Sequence, residues 1–116
     1  MKEMQQSGMW VTQAQAVNGS LETGITAAGA TQATAYQLTK VISNVTTTAA
    51  STGVLLPAGL AAGDHTIVRN GGANALTVYP QGAGTINGAA TLSIAAGKVA
   101  YLINIDGINW IALSGA

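Results

Sequence analysis

One stretch of eleven residues occurs twice, and it restricts the possible folds more than any other feature. Leu60-Ala61-Ala62-Gly63-Asp64-His65-Thr66-Ile67-Val68-Arg69-Asn70 returns 34 positions later as Ile94-Ala95-Ala96-Gly97-Lys98-Val99-Ala100-Tyr101-Leu102-Ile103-Asn104. Each copy runs from an apolar residue through Ala-Ala-Gly and a charged residue into a strand-like stretch that ends at Asn. A turn signal follows each, Asn70-Gly71-Gly72 in one case and Asp106-Gly107 in the other. Two copies are too few for a solenoid. They predict a turn-strand-turn unit used twice in antiparallel sheets, as when two hairpins face each other in a sandwich.

The segments around the repeat read the same way. Residues 25–35 are small and low in complexity, and Gly29 and three Thr weaken any helix there. From Tyr36 the sequence alternates, and Ile42 to Thr48 is rich in β-branched residues. A slip of phase between Lys40 and Ile42 predicts a bulge or a change of sheet. Gly53-Val54-Leu55-Leu56 is a short strand stopped by Pro57. Leu76 and Val78 are expected inward, Asn87-Gly88 to reverse the chain, and Leu92 and Ile94 to open the next strand. The pattern predicts Val99, Tyr101, Ile103 and Ile105 as one buried face, with Ile67, Leu76, Val78, Leu92, Ile94 and Trp110 around it. The expected fold is all-β: an antiparallel β-sandwich or barrel of Greek-key or jelly-roll type, with an extended N-terminal arm.

Composition bounds what such a domain can do. A chain of 116 residues has room for one domain, and without Cys it has neither a disulfide framework nor a thiolate metal site. Charged residues are 7% of the chain against an ordinary share of about 25%. Four basic and four acidic residues leave a formal net charge of zero, which favours association over colloidal repulsion. With no basic cluster, nucleic acid is not an expected partner. No apolar run reaches the eighteen residues of a membrane span, so no membrane partner is expected. The start, Met1 to Gln6, lacks the apolar core of a secretory signal, and the expected place of synthesis is the cytoplasm.

Residues 1–24 form an N-terminal arm or edge segment, and residues 25–116 the single β domain. Met9-Trp10-Val11 is an apolar knot between polar stretches. Two readings stand: an edge strand with Trp10 in the core, or an arm whose Met9, Trp10 and Val11 pack on a neighbouring subunit. Second-choice contact loops are those carrying Pro57, Leu60, Tyr79 and Gln81.

Catalytic chemistry has few residues to draw on. His65 is the sole histidine, and the adjacent Asp64 points to the opposite face of any strand they share. Glu3, Glu22, Asp64 and Asp106 could be paired only by the fold, and Asp106 reads more simply as the first residue of a hairpin turn. Gly82-Ala83-Gly84 lacks the Lys and the helix of a phosphate cradle. The reading is a non-enzymatic protein with no catalytic residue, cofactor or metal.

The run Asn74-Ala75-Leu76-Thr77-Val78-Tyr79-Pro80, then Gly84-Thr85-Ile86-Asn87-Gly88, Ala96-Gly97 and Asp106-Gly107-Ile108-Asn109-Trp110, resembles the C-terminal pattern of small β-structured structural proteins of tailed bacteriophages. The resemblance covers residues 60–113, with a looser echo from Ala30 to Pro57. It implies Asn87-Gly88 and Asp106-Gly107 as scaffold turns, Tyr79 and Trp110 as core or subunit-contact aromatics, and no catalytic role. It also implies a virion protein: a capsid decoration (cement) protein, expected as a homotrimer that binds the major capsid protein on the surface of the shell and stabilises contacts between capsid subunits. The alternative is a tail or tail-fibre associated structural or adhesion protein, although the chain carries no shaft segment.

Overall fold

The computed structural model describes residues 20–114, which form nine strands. They are β1 (Leu21–Thr26), β2 (Tyr36–Gln37), β3 (Ile42–Thr47), β4 (Gly53–Leu55), β5 (His65–Asn70), β6 (Leu76–Tyr79), β7 (Leu92–Ile94), β8 (Val99–Asn104) and β9 (Trp110–Ser114). Two sheets pack on one another, five-stranded in the order β1-β3-β5-β8-β9 and four-stranded in the order β2-β4-β6-β7. β1 spans residue 24, so the sheet begins within the segment assigned to the arm, and residues 1–19 lie outside the described residues.

The expected all-β fold of two layers is present, but the pairing is not antiparallel throughout. Up to β6 the chain alternates between the sheets and lays each strand parallel to the previous one in the same sheet: β1, β3 and β5 in one, β2, β4 and β6 in the other. Parallel neighbours need a long return path, and here the opposite sheet supplies it. The slip at Lys40 to Ile42 is the change of sheet between β2 and β3. The winding left no period to read, because its coils differ in length. Leu21 lies beside Ile42, 21 positions on, while Ile42 lies beside Ile67, 25 positions on. From β7 onward the pairing turns antiparallel, β7 on β6, β8 on β5 and β9 on β8.

The core fills the space between the sheets. Val45, Val68, Ala100, Leu102 and Trp110 face it from the larger sheet, Val54, Leu76, Val78 and Ile94 from the smaller, with Leu38, Leu56 and Ile86 closing the sides. Leu76, Val78, Ile94 and Trp110 are therefore inside as expected, and Leu92 is half-buried against them. Asn87-Gly88 reverses the chain with both residues at positive φ, 53° and 79°, closed by paired hydrogen bonds between Ile86 and Ala89.

In β8 the expected face is wrong by one residue. Ala100, Leu102 and Asn104 point inward, whereas Val99, Tyr101 and Ile105 are exposed and Ile103 is half-buried. Ile67, expected in the core, is half-buried on the outer face with them. The strand is apolar on both faces, so alternation could not choose between them, and its neighbour decides. β5 buries Thr66, Val68 and Asn70, and its register sets Thr66 against Leu102 and Val68 against Ala100.

The two copies of the repeat do not face each other across the sandwich; they lie side by side as β5 and β8. Their hydrogen bonds follow a local twofold axis between Ile67 and Tyr101. Gly63 N–H donates to Asn104 O (2.8 Å) and Gly97 N–H to Asn70 O (2.7 Å), while Asn104 N–H donates to Asp64 O (2.7 Å) and Asn70 N–H to Lys98 O (2.9 Å). Each Ala-Ala-Gly turn thus closes the far end of the other copy's strand. The turns place Gly63 and Gly97 at φ of 92° and 80°, a backbone that L side chains rarely adopt.

The terminal asparagines have diverged within this symmetry. Both are buried. Asn70 Oδ1 accepts from Thr48 Oγ1 (2.7 Å) and Gly72 N–H (3.1 Å), and its Nδ2 donates to Asn74 O (2.7 Å) and Ile94 O (2.8 Å). That amide ties the end of β3, the turn after β5 and the end of β7 together. Among the described residues Asn104 Oδ1 accepts from Gly107 N–H alone, and its Nδ2 has no partner.

Two outcomes test this arrangement. Leu102→Ala should cost about 2–5 kcal/mol while Val99→Thr changes stability by no more than about 0.5 kcal/mol; urea midpoints in the reverse order would return the register to the other face. Asn70→Ala, which strands the buried Thr48 hydroxyl and Ile94 carbonyl and the part-buried bonds to Gly72 and Asn74, should cost about 3 kcal/mol or more. Asn104→Ala should cost clearly less, and equal losses would show that Asn70 has no special tying role.

Candidate interaction surface

Side chains alternate along a strand, so the residues between the core positions of the five-stranded sheet form its outer face. Pairing then sets one residue from each strand at the same level: Leu21 beside Ile42, Ile42 beside Ile67, Ile67 beside Tyr101 and Tyr101 beside Leu113. All five are apolar or aromatic, and together they make an unbroken row across the whole sheet. A second level adds Ile103 and Ile111, which are paired, next to His65. A third adds Val99 opposite Arg69. Relative exposures are 66% for Leu113, 60% for Leu21, 49% for Ile111, 41% for Val99 and 36% for Tyr101. The outward positions of the five strands, 21, 23, 42, 44, 46, 65, 67, 69, 99, 101, 103, 111 and 113, include no carboxylate and no lysine.

Apart from His65, which lies beyond the row beside Ile103, the polar groups on this face stand to one side. Arg69 Nη1 donates to Asn44 Oδ1 (2.9 Å), and Asn44 Nδ2 donates to Thr23 Oγ1 (3.0 Å), a chain across β5, β3 and β1 that parallels the apolar row. The His65 ring packs on Tyr101 with centroids 5.6 Å apart. Such a surface is suited to exclusion of water by another flat apolar surface, with a polar margin along one side. Near His65, a depression of about 80 Å³ lies between Val41, Pro57, Leu60 and Thr66. A groove of about 260 Å³ adjoins it at Asp64 and His65, and open grooves of about 350 Å³ beside Gln32 and Pro80 and about 370 Å³ beside Gln37 and Pro57 reach only the lower end of the roughly 300–1,000 Å³ of ligand pockets.

Met9, Trp10 and Val11 lie outside the described residues. Of the second-choice contact residues, Pro57 is buried and Leu60 is half-buried against the core. Gln81 Nε2 donates to Leu56 O (2.9 Å) and to Gln37 Oε1 (3.1 Å), so Gln81 holds the β6 end of its loop to the strand that leads into Pro57. Tyr79 is half-buried, its hydroxyl donating to Ala30 O (2.9 Å). Pro57 and Gln81 thus come together at one end of the smaller sheet, and none of the four belongs to the apolar row.

Of the carboxylates weighed for chemistry, Glu3 lies outside the described residues, and Asp64 and Asp106 serve as turn acids. Asp64 Oδ2 accepts from Ala61 N–H (2.9 Å). Asp106 accepts from the Asn109 side chain and backbone (both 2.9 Å) and from Ile108 N–H (3.3 Å). Those hydrogen bonds, the Asn109 side chain first, hold the Asp106 carboxyl below its ordinary pKa. Glu22 Oε2 accepts from the Tyr36 hydroxyl (2.6 Å), a contact between the edge strands of the two sheets that raises the tyrosine pKa. Among the described residues no three His, Asp or Glu side chains gather as metal ligands.

No family model, no curated protein and no solved structure matches the chain. The outer face was missed at the level of sequence because its large residues were assigned to the core. The Asn that closes both copies of the repeat was the available signal. A buried, hydrogen-bonded Asn70 fixes Val68 and Thr66 inward, and the copy then places Leu102 and Ala100 inward with them.

The Asp106 turn gives a pH-dependent outcome. Its folded pKa lies below the unfolded one, so its contribution is present above the ordinary aspartate range and is lost as pH falls through the lowered value. An NMR titration of its carboxyl should therefore give a midpoint below about 4, and a midpoint at or above that value would show that the turn's bonds do not form in solution.

Proposed function

We propose that this protein is a non-enzymatic structural subunit of a tailed-phage particle: a capsid decoration protein, made in the host cytoplasm, that binds the major capsid protein on the outer shell as a homotrimer and reinforces contacts between capsid subunits. The observation that carries the structural part of this reading is the apolar row across the outer face of the five-stranded sheet. Surfaces of that kind belong to proteins that work in contact with others. The near-absence of charge supports it, since nothing on this face repels a close neighbour. The phage part rests on the sequence resemblance over residues 60–113. Attachment to the shell is assigned to Met9, Trp10 and Val11, because buried aromatic area is the available means of holding a nearly uncharged protein to a shell.

A specific observation favours the second reading, a tail or tail-fibre associated structural or adhesion protein. The parallel laying of β1, β3 and β5 is the coil-on-coil geometry by which repeat structures extend along one axis. Gold-labelled antibody on intact particles separates the two. Label on the shell supports decoration, label on the tail supports the appendage, and label on neither sinks both.

Among the described residues Ser20 is the first to bond the sheet, accepting from Ile42 N–H (2.8 Å) and, through Oγ, from Val41 N–H (3.2 Å). A protein starting at Ser20 should retain the circular dichroism of the full chain yet fail to co-sediment with undecorated capsids, and Trp10→Ala should reproduce most of that loss. Normal binding by the shortened protein would move the contact to the loops at Pro57 and Gln81.

A further inference from the structure

We infer that the outer face of the five-stranded sheet is the contact between copies of this chain: a second copy covers the row Leu21, Ile42, Ile67, Tyr101 and Leu113. This rests on the reading of the protein as a member of an assembly and pairs two copies, in place of the threefold count proposed above.

Area is the first argument. At about 200 Å² for a fully exposed large side chain, the exposures of Leu21, Val99, Tyr101, Ile111 and Leu113 amount to roughly 500 Å² of apolar surface. That is near the upper end for the largest patch on a monomer, and it would supply most of the roughly 800 Å² per partner of a stable interface. Chemistry is the second. A self-contact must set a surface against its own kind, and the outward positions carry no carboxylate or lysine, only Arg69, already bonded sideways to Asn44, and His65, packed on Tyr101. A partner selected by charge would find little here to recognise. Symmetry is the third. A surface that meets its own copy makes an isologous contact, and such a contact closes at two copies. A half-turn about the row lays it on its counterpart and leaves the Thr23-Asn44-Arg69 chains of the two copies on opposite sides. Two sheets so stacked pack at about 10 Å, as in the interior of any β-sandwich.

The test uses the full chain. Sedimentation equilibrium should show an oligomer at micromolar concentration, and Leu113→Glu and Tyr101→Glu should each weaken association at least about 100-fold. Their circular dichroism and urea midpoints should stay close to wild type, because both sites are exposed. Ser93→Glu, on the exposed side of β7 in the other sheet, should leave association intact. Should a glutamate variant fail to fold, cysteine substitution decides, since the natural chain has none. Leu113→Cys should react with a maleimide more slowly than Ser93→Cys and lose that protection on dilution.

A monomeric wild type overturns the inference, as does an oligomer that persists in the glutamate variants or leaves Leu113→Cys fully reactive. Protection of Leu113→Cys in a monomer also overturns it and assigns the cover to residues 1–19 of the same chain. Particle binding is scored separately. A monomer that still co-sediments with capsids defeats this inference and leaves the capsid attachment standing without its homotrimer, and a dimer that binds no particle does the reverse.

Discussion

The pairing of β5 with β8 is the joint on which both halves of the molecule depend. On one side of β5 lies the parallel ladder of β3 and β1, and on the other begins the antiparallel ladder of β8 and β9. A strand with parallel neighbours on both sides would invite further winding, and an antiparallel neighbour ends it. The joint is made by two related segments whose Ala-Ala-Gly turns each close the other's strand, so neither copy has satisfied ends without its partner. Asn70 carries the arrangement into the second layer, because its amide bonds Ile94 O at the end of β7 and Thr48 at the end of β3. A buried amide with all four of its bonds made is costly to rearrange, and this one therefore fixes the turn, the register and the spacing of the sheets together.

Once that register is set, the outer face follows. β8 has two apolar faces, and only one can enter the core. The inward face takes the smaller set, Ala100, Leu102 and Asn104, because the larger volume between the sheets is already occupied by Trp110, Leu76, Ile94, Leu38 and Leu56. Val99, Tyr101 and Ile103 are left outside, where they line up with Ile111 and Leu113 of β9 and with Ile67, Ile42 and Leu21 across the sheet. The apolar surface is thus a consequence of the register, and in a chain so poor in charge it is the observation on which the proposed assembly role rests.

What the residues weighed for chemistry do instead is equally local. Asp64 and Asp106 accept hydrogen bonds from the backbone of their own turns, and the sole histidine packs on a tyrosine at the margin of the apolar row. Glu22 and Tyr36 join the edge strands of the two sheets. The contact loops read from sequence are likewise engaged internally, with Gln81 and Pro57 closing one end of the smaller sheet. These polar groups are spent within the domain, in contrast to the outer face of the larger sheet.

By itself the sequence determined the strand-forming segments from Tyr36 onward, the turns and a break before Ile42, as a bulge or a change of sheet, because β-branched alternation, Asn-Gly and Asp-Gly pairs and Pro57 act over a few residues and need no distant partner. It also determined Leu76, Val78 and Ile94 as core, since these positions share one face of short strands whose other face carries Thr77, Tyr79 and Ser93. Tertiary structure alone decided the parallel winding, because coils of 21 and 25 residues leave no period and parallel pairing is set by contacts far apart in the chain. It alone decided which face of β8 is buried, and with it the candidate surface: a strand apolar on both sides carries no preference of its own and takes its orientation from the neighbour to which it is hydrogen-bonded.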